Sequence, residues 1–316
     1  FQDGNAVNSP TEEYIIEGDF VGCPNACTNG TTSSWFGPNK ESTACAAGAV
    51  EDDIPCAFSW ATSGEFTMAA TECRLTKMVT LASGDVLDIS GNASAEPLNE
   101  LRAMGGEPSL VSPRRHFYVK GGASLTLRYL KLTGGRVSTV YDDDNNLDII
   151  GDRGGSILVY GSNAVLEVWS SLFAGCGNGV ACARSGGAIH ANPGGASPNE
   201  SVLRVTDSTF EGCSASSQGG AIATHRHTKV FITSTAFINN GADFGGGVRI
   251  FYDSEVSFLG GQNVFRGNTN QTIRKFGDQT PELGGGAVLT FDTCPPGTFQ
   301  DGNAVNSPTE EYIIEG

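Results

Sequence analysis

Residues 203–222 contain the two motifs that decide the fold, and they read Leu-Arg-Val-Thr-Asp-Ser-Thr-Phe-Glu-Gly-Cys-Ser-Ala-Ser-Ser-Gln-Gly-Gly-Ala-Ile. The first motif is an alternating apolar pair, Leu203-x-Val205, followed by Phe210. The second is Gly219-Gly220-Ala221-Ile222. Alternation of this kind is typical of a strand with one buried face. A glycine pair is typical of a turn where a side chain would clash or where φ is positive.

Both motifs recur along the chain. The glycine pair returns roughly every 30 residues, a spacing typical of a solenoid, as Gly154-Gly155, Gly186-Gly187, Gly219-Gly220, Gly246-Gly247 and Gly285-Gly286. The alternating pair returns in five segments, which begin at Leu125, Leu166, Leu203, Val230 and Val256. Sustained helical periodicity is absent from the sequence. The sequence therefore predicts an all-β fold, in which residues 74–292 form a parallel β-helix with about three short strands in each coil.

The Gly-Gly-Ala-Ile motif and the pattern Phe-x-x-Asn, seen at Phe237–Asn240 and Phe265–Asn268, resemble the repeats of polymorphic outer-membrane proteins. The resemblance covers roughly residues 75–292 and implies a right-handed parallel β-helix on a surface or secreted protein. It says almost nothing about activity. Two coils depart from the pattern, because Cys176 and Cys213 stand where the asparagine is expected, so the stack of asparagines is predicted to be interrupted there.

A second repeat has a much longer period. Residues 1–18 and 299–316 are the same eighteen residues, so Phe1 recurs as Phe299 after 298 residues. This predicts a polymer of identical units, in which one unit ends at Thr298 and residues 293–316 run through the junction into the start of the next repeat. The alternative is an overlap between separate subunits. The only apolar run in the repeated peptide is the expected docking element between units, and it comprises Tyr14, Ile15 and Ile16 in one copy and Tyr312, Ile313 and Ile314 in the other.

The cysteines are unevenly spread, and six of the nine would meet at a junction between units: Cys294 followed by Cys23, Cys27, Cys45, Cys56 and Cys73. Residues 1–73, completed by residues 294–316 of the preceding unit, are therefore predicted to form a junction segment held by disulfides. Six cysteines allow 15 pairings, and the sequence does not choose among them. Cys176, Cys182 and Cys213 lie in the β-helix. Cys176 can pair with Cys213 on the neighbouring coil or with Cys182, which leaves one thiol over.

Composition indicates the compartment and excludes some partners. Four sequons for N-linked glycans occur together with the nine cysteines, at Asn29, Asn92, Asn199 and Asn270, so we expect an extracellular or cell-surface glycoprotein. The formal net charge of −16 argues against nucleic acid as a partner. The apolar runs are all too short to span a membrane.

Candidate ligand sites are few. Asp142, Asp143 and Asp144 are candidate calcium ligands, although their spacing is not that of an EF-hand and a solvated loop is favoured. His225-x-His227 on a strand would point both imidazoles to one side, as zinc requires, but a third ligand is missing nearby and an exposed strand edge is favoured. Arg114-Arg115 is expected on the surface.

These observations favour a structural subunit of an extracellular, N-glycosylated filament built from head-to-tail units, with itself and its glycans as partners and with no cofactor. A cell-surface adhesin that binds glycans on exposed aromatic residues is the first alternative. The second is a polysaccharide lyase or hydrolase, which needs grouped carboxylates. Asp207, Asp243 and Asp253 fall at non-equivalent places in the repeat, so catalytic residues are not expected.

Overall fold

The computed structural model describes residues 56, 63–75, 78–103, 115–137, 151–176, 181–194, 200–251, 253–269, 273–275, 282–284, 288–291, 305–306 and 312–314. These residues form an all-β structure and contain no helix. The predicted all-β class is confirmed. In chain order the strands are β1 (Gly64–Thr67), β2 (Glu72–Leu75), β3 (Val79–Leu81), β4 (Val86–Ser90), β5 (Asn99–Ala103), β6 (Phe117–Lys120), β7 (Ser124–Arg128), β8 (Leu130–Thr133), β9 (Ile157–Tyr160), β10 (Val165–Trp169), β11 (Leu172–Ala174), β12 (Ala183–Ser185), β13 (Ile189–Asn192), β14 (Ser201–Thr206), β15 (Thr209–Glu211), β16 (Ala215–Gln218), β17 (Ile222–Thr224), β18 (Thr228–Thr233), β19 (Ala236–Ile238), β20 (Val248–Ile250), β21 (Glu255–Leu259), β22 (Gln262–Arg266), β23 (Ile273–Lys275), β24 (Glu282–Gly284), β25 (Val288–Phe291), β26 (Val305–Asn306) and β27 (Tyr312–Ile314).

Successive strands are distributed in rotation among three parallel sheets. Sheet 1 runs β1-β4-β7-β10-β14-β18-β21-β24, and sheet 2 runs β2-β5-β8-β11-β15-β19-β22-β25. Sheet 3 runs β3-β6-β9-β13-β17-β20-β23 and continues into β27 and β26. The short strands β12 and β16 form a separate parallel pair between sheets 2 and 3 in chain order. We call each set of three strands, one from every sheet, a rung.

The register places like residues above like residues. In sheet 1 an aliphatic column faces the core, with Leu87, Leu125, Leu166, Leu203, Val230 and Val256 in successive register. All six are almost fully buried. The alternating motif of the sequence is therefore the inward face of sheet 1, as expected for strands with one buried side.

Sheet 2 contributes an aromatic column to the same core. Phe173, Phe210, Phe237 and Phe265 are in register on four successive rungs and are buried. Their ring centroids lie 4.8, 5.2 and 4.8 Å apart, with interplanar angles of 12°, 6° and 3°. The ring spacing equals the strand spacing, so each ring packs on the ring of the next rung.

The turn after sheet 2 carries the asparagine pattern. Asn240 Nδ2 donates to the carbonyl of Phe210 at 3.0 Å, and Asn240 Oδ1 accepts from the backbone N–H of Cys213 at 2.9 Å. Asn268 repeats both contacts one rung on, to Phe237 and to Asn240. Cys213 stands at the equivalent place, and its thiol reaches the carbonyl of Phe173 at 3.4 Å. Cysteine thus replaces one of the two asparagine contacts.

The glycine pairs allow two rungs to approach closely. A Cβ on Gly187 would lie 2.1 Å from the carbonyl oxygen of Gly220, and one on Gly220 would lie 2.1 Å from that of Gly246. Ile222 pairs with Val248, so the structural equivalent of Gly219-Gly220 is Gly245-Gly246 and not Gly246-Gly247 as the sequence spacing predicted. The stack also begins before residue 74, because β1 pairs with β4 and Cys73 lies within β2. The parallel pairing therefore extends to residues before 74, where the sequence placed the start of the β-helix.

Candidate functional site

One end of the molecule carries the repeated peptide. Strand β27, Tyr312–Ile314, pairs antiparallel with β23, with Ile314 opposite Ile273 and Ile313 opposite Arg274. Strand β26 then pairs with β27. An edge strand offers a row of unpaired N–H and C=O groups, and β27 occupies the edge that β23 would otherwise present. The other copy of the triplet, Tyr14, Ile15 and Ile16, lies outside the described residues.

A disulfide joins the first rung at the opposite end. Cys56 bonds Cys73 in β2, and the backbone N–H of Cys56 donates to the carbonyl of Arg74 at 3.1 Å. Both cysteines are buried. This crosslink closes a short loop onto the strand that begins sheet 2. The other cysteines of the predicted junction, Cys23, Cys27, Cys45 and Cys294, lie outside the described residues.

The structure decides between the two disulfide partners that the sequence left open for Cys176. Cys176 bonds Cys182, so the predicted choice between Cys182 and Cys213 falls to Cys182. Cys213 is not in a disulfide and is buried. Burial raises the pKa of the Cys213 thiol to about 12. A thiol with such a pKa remains protonated at neutral pH and is a poor nucleophile.

The outward face of sheet 3 is covered. Its outward column runs Tyr118, Leu158, His190, Ala223, Arg249 and Arg274, and every member is buried. The segments between sheets 2 and 3 contact this column: Ser185 Oγ lies 3.1 Å from His190 Nδ1, and the Phe244 ring centroid lies 4.2 Å from the guanidinium of Arg274. We call these connecting segments the cover of sheet 3.

Arg115 belongs to the same layer and corrects a prediction. It was expected on the surface but is 1% exposed, because its guanidinium donates to the carbonyls of Arg153 at 2.7 Å and Gly154 at 3.3 Å. It therefore ties its own rung to the next one. The neighbouring Arg114 lies outside the described residues.

Two of the four histidines, His225 and His227, were the predicted zinc pair. His225, Arg226 and His227 lie in the turn between β17 and β18, and Arg226 and His227 have φ of 29° and 41°, so the predicted strand geometry for a zinc pair is wrong. The His225 ring stacks on Phe251 at 5.0 Å. Burial, helped by the charge of Arg153, lowers the pKa of His225 to about 4 and holds the pKa of His190 well below its usual range. The described residues contain no cluster of three metal-ligating side chains.

The outward face of sheet 1 is open to solvent. A shallow groove with a volume of about 190 Å³ crosses four of its strands and is lined by Trp169, Arg204, Thr206, Phe231, Thr233 and Leu259. Trp169 is 37% exposed. Beside the groove, Glu167 Oε1 lies 3.6 Å from Arg204 Nη1. The groove therefore combines a partly exposed aromatic ring with polar groups, as ligand surfaces do.

The other predicted site residues lie either in turns of the structure or outside the described residues. Asn92 is exposed in the turn after β4, where its Oδ1 accepts from the backbone N–H of Ser94 at 2.9 Å. Asn29, Asn199 and Asn270, and the candidate calcium ligands Asp142, Asp143 and Asp144, lie outside the described residues. Asp207, Asp243 and Asp253 occupy three different turns, after β14, before β20 and before β21. The described part of the chain contains no helix with the length and hydrophobicity that a transmembrane span requires.

Sequence reasoning missed the groove on sheet 1. Its signal was present, since Trp169 and Phe231 occupy positions that alternate with the buried residues of the Leu-x-Val motif and must point outward.

Comparison with protein-family models gives no match, and comparison with curated proteins and with solved structures gives none either.

Proposed function

We propose that this chain is a structural unit of an extracellular, N-glycosylated filament, built as a right-handed parallel β-helix whose open end is covered by the repeated peptide. The observation that carries the proposal is the pairing of β27 with β23, because β27 comes from the peptide that occurs twice in the sequence. Head-to-tail units with a period of 298 residues would place this peptide at every junction.

Three features support this role. Within the described residues, sheet 1 ends at β1 and β24 and sheet 2 ends at β2 and β25, and the edges of terminal strands favour further pairing. The disulfides Cys56–Cys73 and Cys176–Cys182 suit an oxidising compartment. The exposed turn at Asn92 suits an N-linked glycan. Among the described residues, Asp207, Asp243 and Asp253 lie in three separate turns, and the thiol of Cys213 is buried.

Proline in the docking strand tests the proposal. Ile313 lies opposite Arg274, so Ile313→Pro would disrupt the pairing of β27 with β23. Ile15→Pro makes the same change at the matching position of the other copy. We expect filaments of the protein to become much shorter under electron microscopy, whereas the control pair Ile313→Val and Ile15→Val should keep its length.

Unchanged filaments in the proline variant would contradict the docking role of this strand. The mass of the reduced, deglycosylated protein gives an independent check on the period. A mass at a multiple of the 298-residue unit supports covalent tandem repeats, while a mass near one unit assigns the duplicated peptide to an overlap between subunits.

A further inference from the structure

The groove on sheet 1 is defined by the strand register. Trp169, Thr206, Thr233 and Leu259 follow one another in one outward column. Trp169 and Leu259 are large, and the two threonines between them are small, so the column has walls at both ends and a depression in the middle. Four strands span three steps, a length of about 14 Å.

The depression combines apolar and polar surfaces. The Trp169 ring is an exposed flat surface at one end. The hydroxyls of Thr206 and Thr233 make no hydrogen bond within the described residues, so they are free to donate to or accept from a ligand. Two half-buried hydroxyls beside an aromatic ring suit a ligand with both apolar faces and many hydroxyl groups.

Arg204 borders the depression and is already held in place. Its guanidinium lies 5.3 Å from the ring centroid of Phe231 and 3.6 Å from Glu167 Oε1. Both contacts restrict the side chain, so less conformational entropy is lost when it donates to a ligand. Glu167 adds an acceptor beside the donor, and the two charges cancel locally.

We infer that this groove binds a neutral carbohydrate, with one sugar ring packed on Trp169 and its hydroxyls bonded by Thr206, Thr233 and the Glu167–Arg204 pair. An amphipathic aromatic ring can pack on the C–H face of a sugar while neighbouring polar groups bond the ring's hydroxyls. The volume of about 190 Å³ lies below that of pockets for drug-sized ligands, which start at roughly 300 Å³, and suits a single sugar residue.

The charge of the protein and the size of the groove favour a neutral carbohydrate over other ligands. The net charge of −16 disfavours an anionic polysaccharide or a nucleic acid. A groove across four strands is much smaller than the roughly 1,000 Å² of a specific protein interface. The groove lies on one chain, so this inference does not depend on the filament.

Binding of defined oligosaccharides tests the inference. The intact protein is titrated by calorimetry with cellotetraose, chitotetraose and mannotetraose, and with a heparin-derived tetrasaccharide as the anionic probe. We expect saturable binding of at least one neutral probe. Trp169→Ala should weaken it about tenfold or more, because truncation of an aromatic contact residue typically has the largest effect.

Two further variants isolate the polar and apolar contributions. Thr206→Val with Thr233→Val keeps the shape of the groove and removes the hydroxyls, and it should also weaken binding. Val86→Ala is the matched control, because Val86 is 60% exposed on β4 of the same sheet, two rungs from Trp169. It should leave binding unchanged. Circular dichroism of each variant verifies the fold.

Several results would overturn the inference. These are no saturable binding of any neutral probe, binding of the heparin-derived probe alone, or binding that Trp169→Ala leaves intact. Self-association of the protein that Trp169→Ala abolishes, without sugar binding, would instead assign the groove to a second copy of the chain.

Discussion

Sheets 1 and 3 have similar inward faces but different outward ones. Both direct aliphatic residues into one core, such as Leu203 in sheet 1 and Ile222 in sheet 3. On the outward face of sheet 1, Arg204 has a side chain that is 44% exposed. On the outward face of sheet 3, Arg249 is 3% exposed and lies over the rings of Phe244 and Phe251.

The difference arises from the cover of sheet 3. The glycine pairs let each connecting segment pass within contact distance of the next one, so the cover packs as closely as the strands do. The same alternation of residues therefore gives a solvent-exposed column in one sheet and a buried polar layer in the other. Ligands can reach sheet 1, and the polar residues under the cover contribute to stability instead.

The prediction with the largest expected effect concerns the close approach of neighbouring segments within the cover of sheet 3. Gly187→Ala would place a Cβ 2.1 Å from Gly220 O and 2.5 Å from Ser214 O, both backbone atoms that cannot rotate away. We expect the free energy of unfolding, measured by urea denaturation, to fall by at least about 4 kcal/mol, or the chain to fail to fold.

Gly212→Ala is the matched control. Gly212 has φ of 63°, but a Cβ there meets nothing within 4 Å. It should cost only the strain of the left-handed backbone, about 1–2 kcal/mol. Equal losses in the two variants would contradict the close approach as the reason for Gly187.

The second test uses pH, because His116 and His190 are buried and burial lowers the pKa of both imidazoles. Burial lowers the pKa of His116 to about 4 in the folded chain, against about 6.5 in an unfolded chain. Between these values the unfolded chain binds the extra proton, so the free energy of unfolding should fall as the pH decreases from about 6.5 to about 4. His116 alone should account for about 3 kcal/mol of this loss.

Denaturation curves of the wild type and of His116→Gln, measured at intervals from pH 7 to pH 4, isolate that contribution. His116 Nε2 lies 3.1 Å from the carbonyl of Leu101, a contact that glutamine can also reach. The variant should show a shallower dependence on pH across this window. Parallel curves for the two proteins would show that His116 does not titrate as described.

The repeated motifs were sufficient to predict the all-β class and the columns of side chains that face the core. Leu166 and Val168 flank Glu167, and Leu203 and Val205 flank Arg204. Such alternation directly determines which side chains enter the core. The buried phenylalanine column could be predicted in the same way, because Phe173 and Phe210 each follow their alternating pair at the same spacing. These features are local, so a single sequence contains them.

The outward layers could not be predicted so simply. His190 and Arg115 are polar residues in alternating segments, where a sequence rule places them in solvent. The burial of Arg115 depends on the carbonyl of Gly154, which is 39 residues away along the chain. The burial of His190 depends on the segment before its strand, which brings Ser185 into contact with the imidazole. The turn at His225 was also missed, since residues 225–227 look like the continuation of a strand until the positive φ values are known.

The smallest expected effect concerns the outward face of sheet 1, which is open to solvent. Arg204→Ala removes an exposed ion pair with Glu167 and a contact with Phe231, so it should lower the free energy of unfolding by less than about 1 kcal/mol. Arg115→Ala deletes the same side chain within the cover, where it leaves the carbonyls of Arg153 and Gly154 without their donor, and should cost about 3 kcal/mol. Urea denaturation of both variants at pH 7 measures the difference. If Arg204→Ala proved as costly as Arg115→Ala, the outward face of sheet 1 would be a structural layer like that of sheet 3, and its groove would not be free to bind a ligand.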